Sequence, residues 1–133
     1  MSAPPLVAEG LAKHFRRNDW ALRNLTLTIP KGAIVGLAGP NAAGKSTLLS
    51  LAAGLLAPSE GSITVFGRDP LQSPEVLAEV GYVAQGAPLY RSFRVADTIE
   101  YARRTNSRWD AEIATELLTR IDSRAKVAAL SAG

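Results

Sequence analysis

The sequence contains no cysteine, which excludes a disulfide framework and a thiolate metal site. Its single histidine, His14, excludes a multi-histidine metal site. No apolar run approaches the ~20 residues that a membrane-spanning helix requires. The N-terminus also lacks the basic flank and apolar stretch of a signal peptide. We therefore expect a chain of cytosolic character.

No block of five or more like charges occurs either, although 15 Lys and Arg outnumber 12 Asp and Glu for a net charge of +3. Scattered charges indicate an ordinary solvated surface, so we expect no nucleic-acid partner. The hydrophobic fraction of 47% in 133 residues is sufficient for the core of about one domain.

Four segments are predicted to be strands. Leu25–Ile29 alternates between apolar and polar residues, which indicates a strand with one buried face. Ala33–Ala38 is almost entirely apolar, as in a central parallel strand that is covered on both sides. Ser62–Val65 and Gly81–Gln85 are predicted as short strands.

Helices are predicted between and after these strands. An apolar stripe at helical spacing follows residue 47, and Gly54 and Pro58 mark the end of that helix. Ser73 and Pro74 begin a second helix, a third holds Val95–Ala102, and Asp110 caps a fourth that extends to Ile121. The predicted fold class is α/β.

Residues Gly39–Ser46 match the phosphate-loop pattern G-x-x-x-x-G-K-[ST] at every fixed position. The backbone N–H groups of such a loop and the N-terminus of the following helix attract phosphate. We expect Lys45 to bridge the β- and γ-phosphates of a nucleoside triphosphate, Ser46 to bind Mg²⁺, and Thr47 to approach the α-phosphate. The loop alone does not distinguish GTPases, small-molecule kinases and transport ATPases. A plain glycine-rich turn would need neither the Lys-Ser pair nor two glycines at this spacing.

The flanking residues resemble the ABC ATPase family along nearly the whole chain. Asn24–Gly32 is similar to that family's approach to the loop, and Gly39-Pro40-Asn41 to the loop's opening. The phrase Gly54–Ile63 is similar to a very recognisable segment after the helix. The resemblance implies a RecA-like phosphate-loop core with an N-terminal antiparallel β part and the start of a helical subdomain. It divides the chain into residues 1–85 and residues 86–133, which would contain the loop after Gln85 and the helical subdomain.

The resemblance also implies roles for residues outside the loop. Phe15, 24 residues before Gly39, would stack on adenine, and Ala21 would line the same pocket. Gln85 would reach Mg²⁺ and the attacking water. Leu130–Gly133 resembles the start of the signature motif, whose Ser131 and Gly133 would contact the ATP of an opposite subunit. Without the resemblance, Phe15 is equally a core aromatic, Gln85 a solvated strand end, and Ser131–Gly133 a frayed tail.

The resemblance implies a set of nucleotide-binding residues and a smaller set for catalysis. Lys45 and Gln85 would be catalytic, and Ser46 and Gln85 would bind the metal. The nucleotide-binding set is Phe15, Ala21, Gly39, Pro40, Asn41, Ala42, Ala43, Gly44, Lys45, Ser46, Thr47, Gln85, Ser131 and Gly133.

Three features depart from the family pattern. Ala42 stands where glycine is most frequent, which is tolerated only if its φ is ordinary, and Ala132 replaces a signature glycine. The chain ends at Gly133, so we expect the Walker B acids and the switch histidine to be absent and this chain alone to be inactive in hydrolysis. Ala33–Ala38 would then lack its neighbouring strand and expose an unpaired edge.

The resemblance implies an ATP-hydrolysing subunit of an ABC transporter, with ATP and Mg²⁺ as cofactors. A transmembrane subunit would dock near Gln85–Phe93, and a second copy or a related ATPase subunit would complete a dimer. The protein would lie on the cytoplasmic face of the membrane. A soluble ABC ATPase of the translation-factor type and a nucleotide-binding fragment without hydrolysis stay open as alternatives.

Overall fold

The computed structural model describes residues 3–86 and 89–130, in two compact units, Met1–Gly81 and Tyr82–Gly133. The predicted division after Gln85 stays a prediction. No helix in the described ranges is both long and apolar enough to cross a membrane.

An antiparallel sheet of three strands forms the framework of the first unit. The strands are β1 (Leu6–Arg16), β2 (Asp19–Ile29) and β3 (Glu60–Val65), in the order β2-β1-β3. A two-residue turn joins β1 to β2, and Asn18 in that turn adopts a φ of 70°, which asparagine tolerates better than most residues. The structure confirms the predicted strands at Leu25–Ile29 and Ser62–Val65.

The helix after the phosphate loop, α1 (Lys45–Ala52), supplies the cover for this sheet. Its buried Leu48 and Leu51 pack against Ala8 and Leu11 of the central strand β1 and against Ile63 of β3. Leu11 and Leu51 are completely buried. Burial of a leucine side chain stabilises the folded state by about 1.5–3 kcal/mol, so this contact fixes α1 to the sheet.

Gly54 ends α1 in the way the sequence predicts. The N–H of Gly54 donates to the carbonyl of Leu51 at 3.1 Å, and the N–H of Leu55 donates to the carbonyl of Ser50 at 2.9 Å. This pair of bonds is a Schellman motif, which places its glycine in the left-handed region; here φ is 67°. The next helix of the unit, α2 (Pro74–Leu77), begins with Pro74 after Ser73, as predicted.

The prediction of a strand at Ala33–Ala38 is wrong for the described structure. These residues form no strand, and Ile34 is fully exposed while Val35 and Leu37 are about half exposed. A strand requires a neighbour for its N–H and C=O groups, and none of the described residues pairs with this segment.

The second unit is helical. It contains α3 (Val95–Thr105), α4 (Ala111–Leu118) and a short 3₁₀ turn, Val127–Ala129. Asp110 caps α4 as predicted, because its carboxylate accepts from the N–H groups of Glu112 and Ile113. Ile121 lies beyond the end of α4, which corrects the predicted length of that helix.

A second correction concerns Gly81–Gln85, which forms no strand in the described structure; Val83 is 91% exposed. Downstream, two segments of the second unit are joined by backbone bonds. The N–H of Val127 donates to Phe93 at 2.8 Å, and that of Val95 donates to Ala125 at 2.9 Å. The segment after Gln85 is therefore tied to the segment that leads to Leu130.

The end of α1 yields a stability prediction. A Cβ atom on Gly54 would lie 2.7 Å from the carbonyl oxygen of Pro70, in addition to the cost of its positive φ. We expect Gly54→Ala to lower the free energy of unfolding by about 1–3 kcal/mol, measured by urea denaturation. Gly36→Ala is the matched control, because Gly36 has open space and no positive φ. Equal stability of the two variants would contradict this account of Gly54.

Candidate functional site

The phosphate loop opens with a tight turn. The N–H of Ala43 donates to the carbonyl of Pro40 at 3.2 Å, and Ala42 adopts a φ of 64°. Positive φ at the third residue is the mark of a type II turn, in which glycine is preferred. The condition for tolerating alanine here, an ordinary φ, is therefore not met. The methyl group of Ala42 costs about 1–2 kcal/mol in this conformation.

The loop ends at Gly44, where it touches the sheet. Gly44 caps α1 with a φ of 89°. A Cβ atom there would overlap the carbonyl oxygen of Ala21 and lie 2.6 Å from Cδ2 of Leu22. Glycine is required both by the backbone conformation and by this close approach. The contact holds the N-terminus of α1 against β2.

Lys45 folds back over the first half of the loop. Its Nζ donates to the carbonyls of Gly39 and Pro40, each at 2.6 Å. An ammonium group has three N–H donors, so these two bonds leave one for a ligand. The half-buried side chain thus places a positive charge beside the loop while bracing its backbone.

The first turn of α1 adds further donors. The helix has no side-chain cap and no acidic residue in its first turn. Its first N–H groups have no partner within the helix and are satisfied by water or by a ligand. Ser46 is exposed and Thr47 half-buried in this turn. A helix N-terminus with a lysine and two hydroxyls suits an anion such as phosphate.

Phe15 and Ala21 are the extra residues of two β-bulges. The register pairs Lys13 with Leu22, His14 with Trp20, and Arg16 with Asp19. Leu22 to Trp20 is two steps along β2, whereas Lys13 to His14 is one step along β1, so Ala21 is the extra residue. One step separates Trp20 from Asp19 where β1 has two, so Phe15 is bulged. Bulges re-aim side chains and are frequent beside active sites.

The register also brings Phe15 near the loop. Ala21 touches Gly44, and its neighbour Leu22 pairs with Lys13, which is two residues from Phe15, or about 7 Å along β1. The ring of Phe15 is 57% exposed, and Nζ of Lys13 lies 5.5 Å from its centroid. The structure thus places Phe15, Ala21 and the phosphate loop in one region of the first unit.

Three other predicted site residues are not among the described residues of the first unit. Gln85 belongs to the second unit, where it is exposed in a turn with Gly86. Ser131 and Gly133 lie outside the described residues. Two residues of this region were not predicted from the sequence: Lys13, whose Nζ lies over the ring of Phe15, and Leu22, which fills the space beside Gly44. Their only sequence signal is proximity to Phe15 and Ala21.

Comparison with known proteins gives a family match. Residues 22–133 match the family model described as ABC transporter. The sulfate/thiosulfate import ATP-binding protein CysA of Mycolicibacterium paratuberculosis is 33% identical over 111 residues, covering 84% of this chain and 30% of that protein. The probable multidrug ABC transporter ATP-binding protein YbhF of Escherichia coli is 40% identical over 101 residues, covering 74% and 18%. The chain therefore spans less than a third of the length of these curated relatives.

Solved structures agree in fold. The structure of an ATP-binding subunit of an ABC transporter superposes with a TM-score of 0.78, covering 95% of this chain and 55% of that one at 24% identity. A bacterial Atm1-family ABC exporter with ATP bound gives 0.79, covering 97% and 25%, also at 24% identity. These matches confirm the predicted phosphate-loop α/β fold class.

The strained turn yields a second prediction. Ala42→Gly removes a cost of about 1–2 kcal/mol in the folded state and adds chain entropy worth about 0.4–1 kcal/mol to the unfolded state. We expect the free energy of unfolding to rise by about 0.5–1 kcal/mol, measured by urea denaturation. The control is Ala43→Gly, next in the chain and without a positive φ, which should lower stability. The same change in both variants would show that φ at Ala42 does not matter.

Proposed function

The chain belongs to the ABC transporter family, and from this membership we propose that Gly39–Thr47 binds the phosphates of ATP to power a transporter. The observation that carries the proposal is the arrangement of Lys45. Its ammonium group donates to the loop carbonyls of Gly39 and Pro40 and lies beside the N-terminus of α1. Positive charge and backbone donors then face the same space, as a polyphosphate requires.

The two ends of the phosphate loop have different structural roles in this proposal. The turn at Pro40–Ala43 shapes the backbone so that its N–H groups can surround a phosphate. Gly44 presses the start of α1 against β2 and so fixes the direction of the helix N-terminus. Lys45 contributes its remaining N–H to the β- and γ-phosphates. Thr47, two residues later in the first turn of α1, offers its hydroxyl to the α-phosphate.

Mg²⁺ fits the donor set of this chain only together with the nucleotide. The described residues contain no group of three or more His, Cys, Asp or Glu side chains that would hold a metal alone. Mg²⁺ in nucleotide sites keeps several waters and binds phosphate oxygens with one or two protein oxygens. The exposed hydroxyl of Ser46 is the protein oxygen we assign to it. When bound, the ion neutralises charge on the phosphates.

Phe15 and Ala21 form the base end of the proposed site. The bulge at Phe15 and its high exposure leave the ring available for stacking on adenine. Ala21 is small and half-buried, and its carbonyl already touches Gly44. A nucleotide whose phosphates lie on the loop would extend its base toward this part of β1 and β2.

We further propose the partners that relatives suggest. Relatives named as import and multidrug ATP-binding proteins support a role in a transporter on the cytoplasmic face of a membrane. In that assembly Gln85 would sense Mg²⁺ and water, and Gln85–Phe93 would receive a transmembrane subunit. A second ATP-binding subunit would meet the nucleotide through Ser131 and Gly133. The exposed ring of Tyr90, 4.9 Å from Phe93, gives the docking segment an apolar surface.

The first test of the proposal removes the loop lysine. We expect Lys45→Ala to weaken ATP binding at least tenfold, because a charge-assisted bond contributes about 1.5–3 kcal/mol. Titration with a fluorescent ATP analogue measures this. Lys31→Ala removes the same charge from an exposed turn and should bind like the wild type. Equal affinity in Lys45→Ala and Lys31→Ala would refute the assignment of the loop.

The second test concerns the base. If Phe15 stacks on adenine, Phe15→Ala should weaken ATP at least fivefold, since stacking contributes about 1–3 kcal/mol per base. Phe15→Tyr and Phe15→Trp retain the ring face and should bind within about twofold of the wild type. Trp20→Ala, in the same hairpin, is the control, and GTP should bind nearly as well as ATP. A strong ATP preference that survives Phe15→Ala would place base recognition elsewhere.

A further inference from the structure

The excess positive charge of the first unit is concentrated in one hairpin. Residues 13–23, the ends of β1 and β2 with their turn, contain four basic side chains and one acidic one. The rest of residues 1–81 contain three basic and five acidic side chains. The hairpin therefore carries a formal charge of +3 on a unit that is otherwise at −2. We call residues 13–23 the basic hairpin.

Two of these four basic side chains take part in contacts that stabilise the fold, and two do not. Lys13 donates to the carbonyl of Ala57 at 2.8 Å, and the guanidinium of Arg23 lies 5.0 Å from the ring centroid of Trp20. Arg16 and Arg17, at the tip, are exposed, and their side chains form no hydrogen bond or ion pair with the described residues. Arg16 and Asp19 pair in the strand register, yet no salt bridge joins them among the described side chains.

The tip lies close to the phosphate loop. Gly44 touches Ala21, and Asp19, the register partner of Arg16, is two residues from Ala21, or about 7 Å along β2. Arg16 lies one strand spacing of ~5 Å beyond Asp19, so the arginines are farther from the loop than one Debye length of ~8 Å at physiological ionic strength but well within the ~30 Å that applies at ~10 mM. Phe15, directly before Arg16, carries the proposed stacking ring.

We propose that Arg16 and Arg17 are a capture site for the polyphosphate chain of the nucleotide, which speeds its association with the loop without holding it once bound. The inference rests on the proposed function of Gly39–Thr47. Clustered charge beside a binding site raises the association rate of an oppositely charged ligand, by 10- to 1,000-fold in strong cases. Two solvated arginines justify a smaller effect.

Stopped-flow association of a fluorescent ATP analogue tests this on the 133-residue chain. At an ionic strength of ~10 mM, where the Debye length is ~30 Å, we expect the double variant Arg16→Gln/Arg17→Gln to associate about three- to tenfold more slowly. The dissociation rate should stay within about twofold of the wild type. The difference should vanish at ~1 M salt, where the Debye length is ~3 Å.

Lys31→Gln is the matched control. It removes one exposed charge just beyond the far end of β2, about 30 Å along the strand from Asp19. Its association rate should change by less than about 1.5-fold at low salt. Arg68→Gln is a second control. The guanidinium of Arg68 lies 3.9 Å from the carboxylate of Glu75, so this variant removes a partly paired charge.

Three outcomes would overturn the proposal, and they are distinguishable from failure of the proposed function. An unchanged association rate in the arginine double variant removes the capture role. A faster dissociation rate means that the arginines contact bound nucleotide instead. An equal effect of Lys31→Gln means that only net charge matters. If the wild type shows no Lys45-dependent binding of the analogue, the proposed function itself fails.

Discussion

The packing of α1 against the sheet determines the geometry of the phosphate loop. Leu48 and Leu51 fill the space over Ala8, Leu11 and Ile63, and this apolar contact fixes the axis of the helix. The helix N-terminus can then lie in only one place, against β2 at Ala21. Glycine at position 44 permits the close approach, because any side chain would occupy the space of a backbone carbonyl. The direction in which the first N–H groups of α1 point follows from core packing.

The features that depend on short-range backbone interactions were predicted correctly from the sequence. Gly54 as a Schellman glycine, Asp110 as a cap and Pro74 at a helix start are all confirmed, because each depends on the conformation or hydrogen bonds of nearby backbone and not on distant residues. The loop motif likewise predicts a turn that leads into a helix, which is what Pro40–Ala52 forms. Family membership then followed from the fixed motif and its neighbours.

Longer-range features were predicted less well. Ala33–Ala38 has the composition of a central strand, but a strand depends on neighbours, and the described residues provide none for it. The bulges at Phe15 and Ala21 have no sequence signature, since they arise from a register mismatch between β1 and β2. The sequence marked both residues through family resemblance alone. The sequence raised the question of φ at Ala42 but could not answer it, because φ is set by the turn in which Ala43 donates to Pro40.

The two halves of the loop are held by different means. The second half is anchored through α1 to a buried core, whereas the first half follows the exposed segment 33–38 and has no such support among the described residues. The bonds from Lys45 to Gly39 and Pro40 join the unsupported half to the supported one. A phosphate would take the third N–H of this ammonium group, so the side chain that binds the ligand also holds the loop's shape. Ligand binding and loop order are consequently linked through one residue, and replacing Lys45 affects both at once.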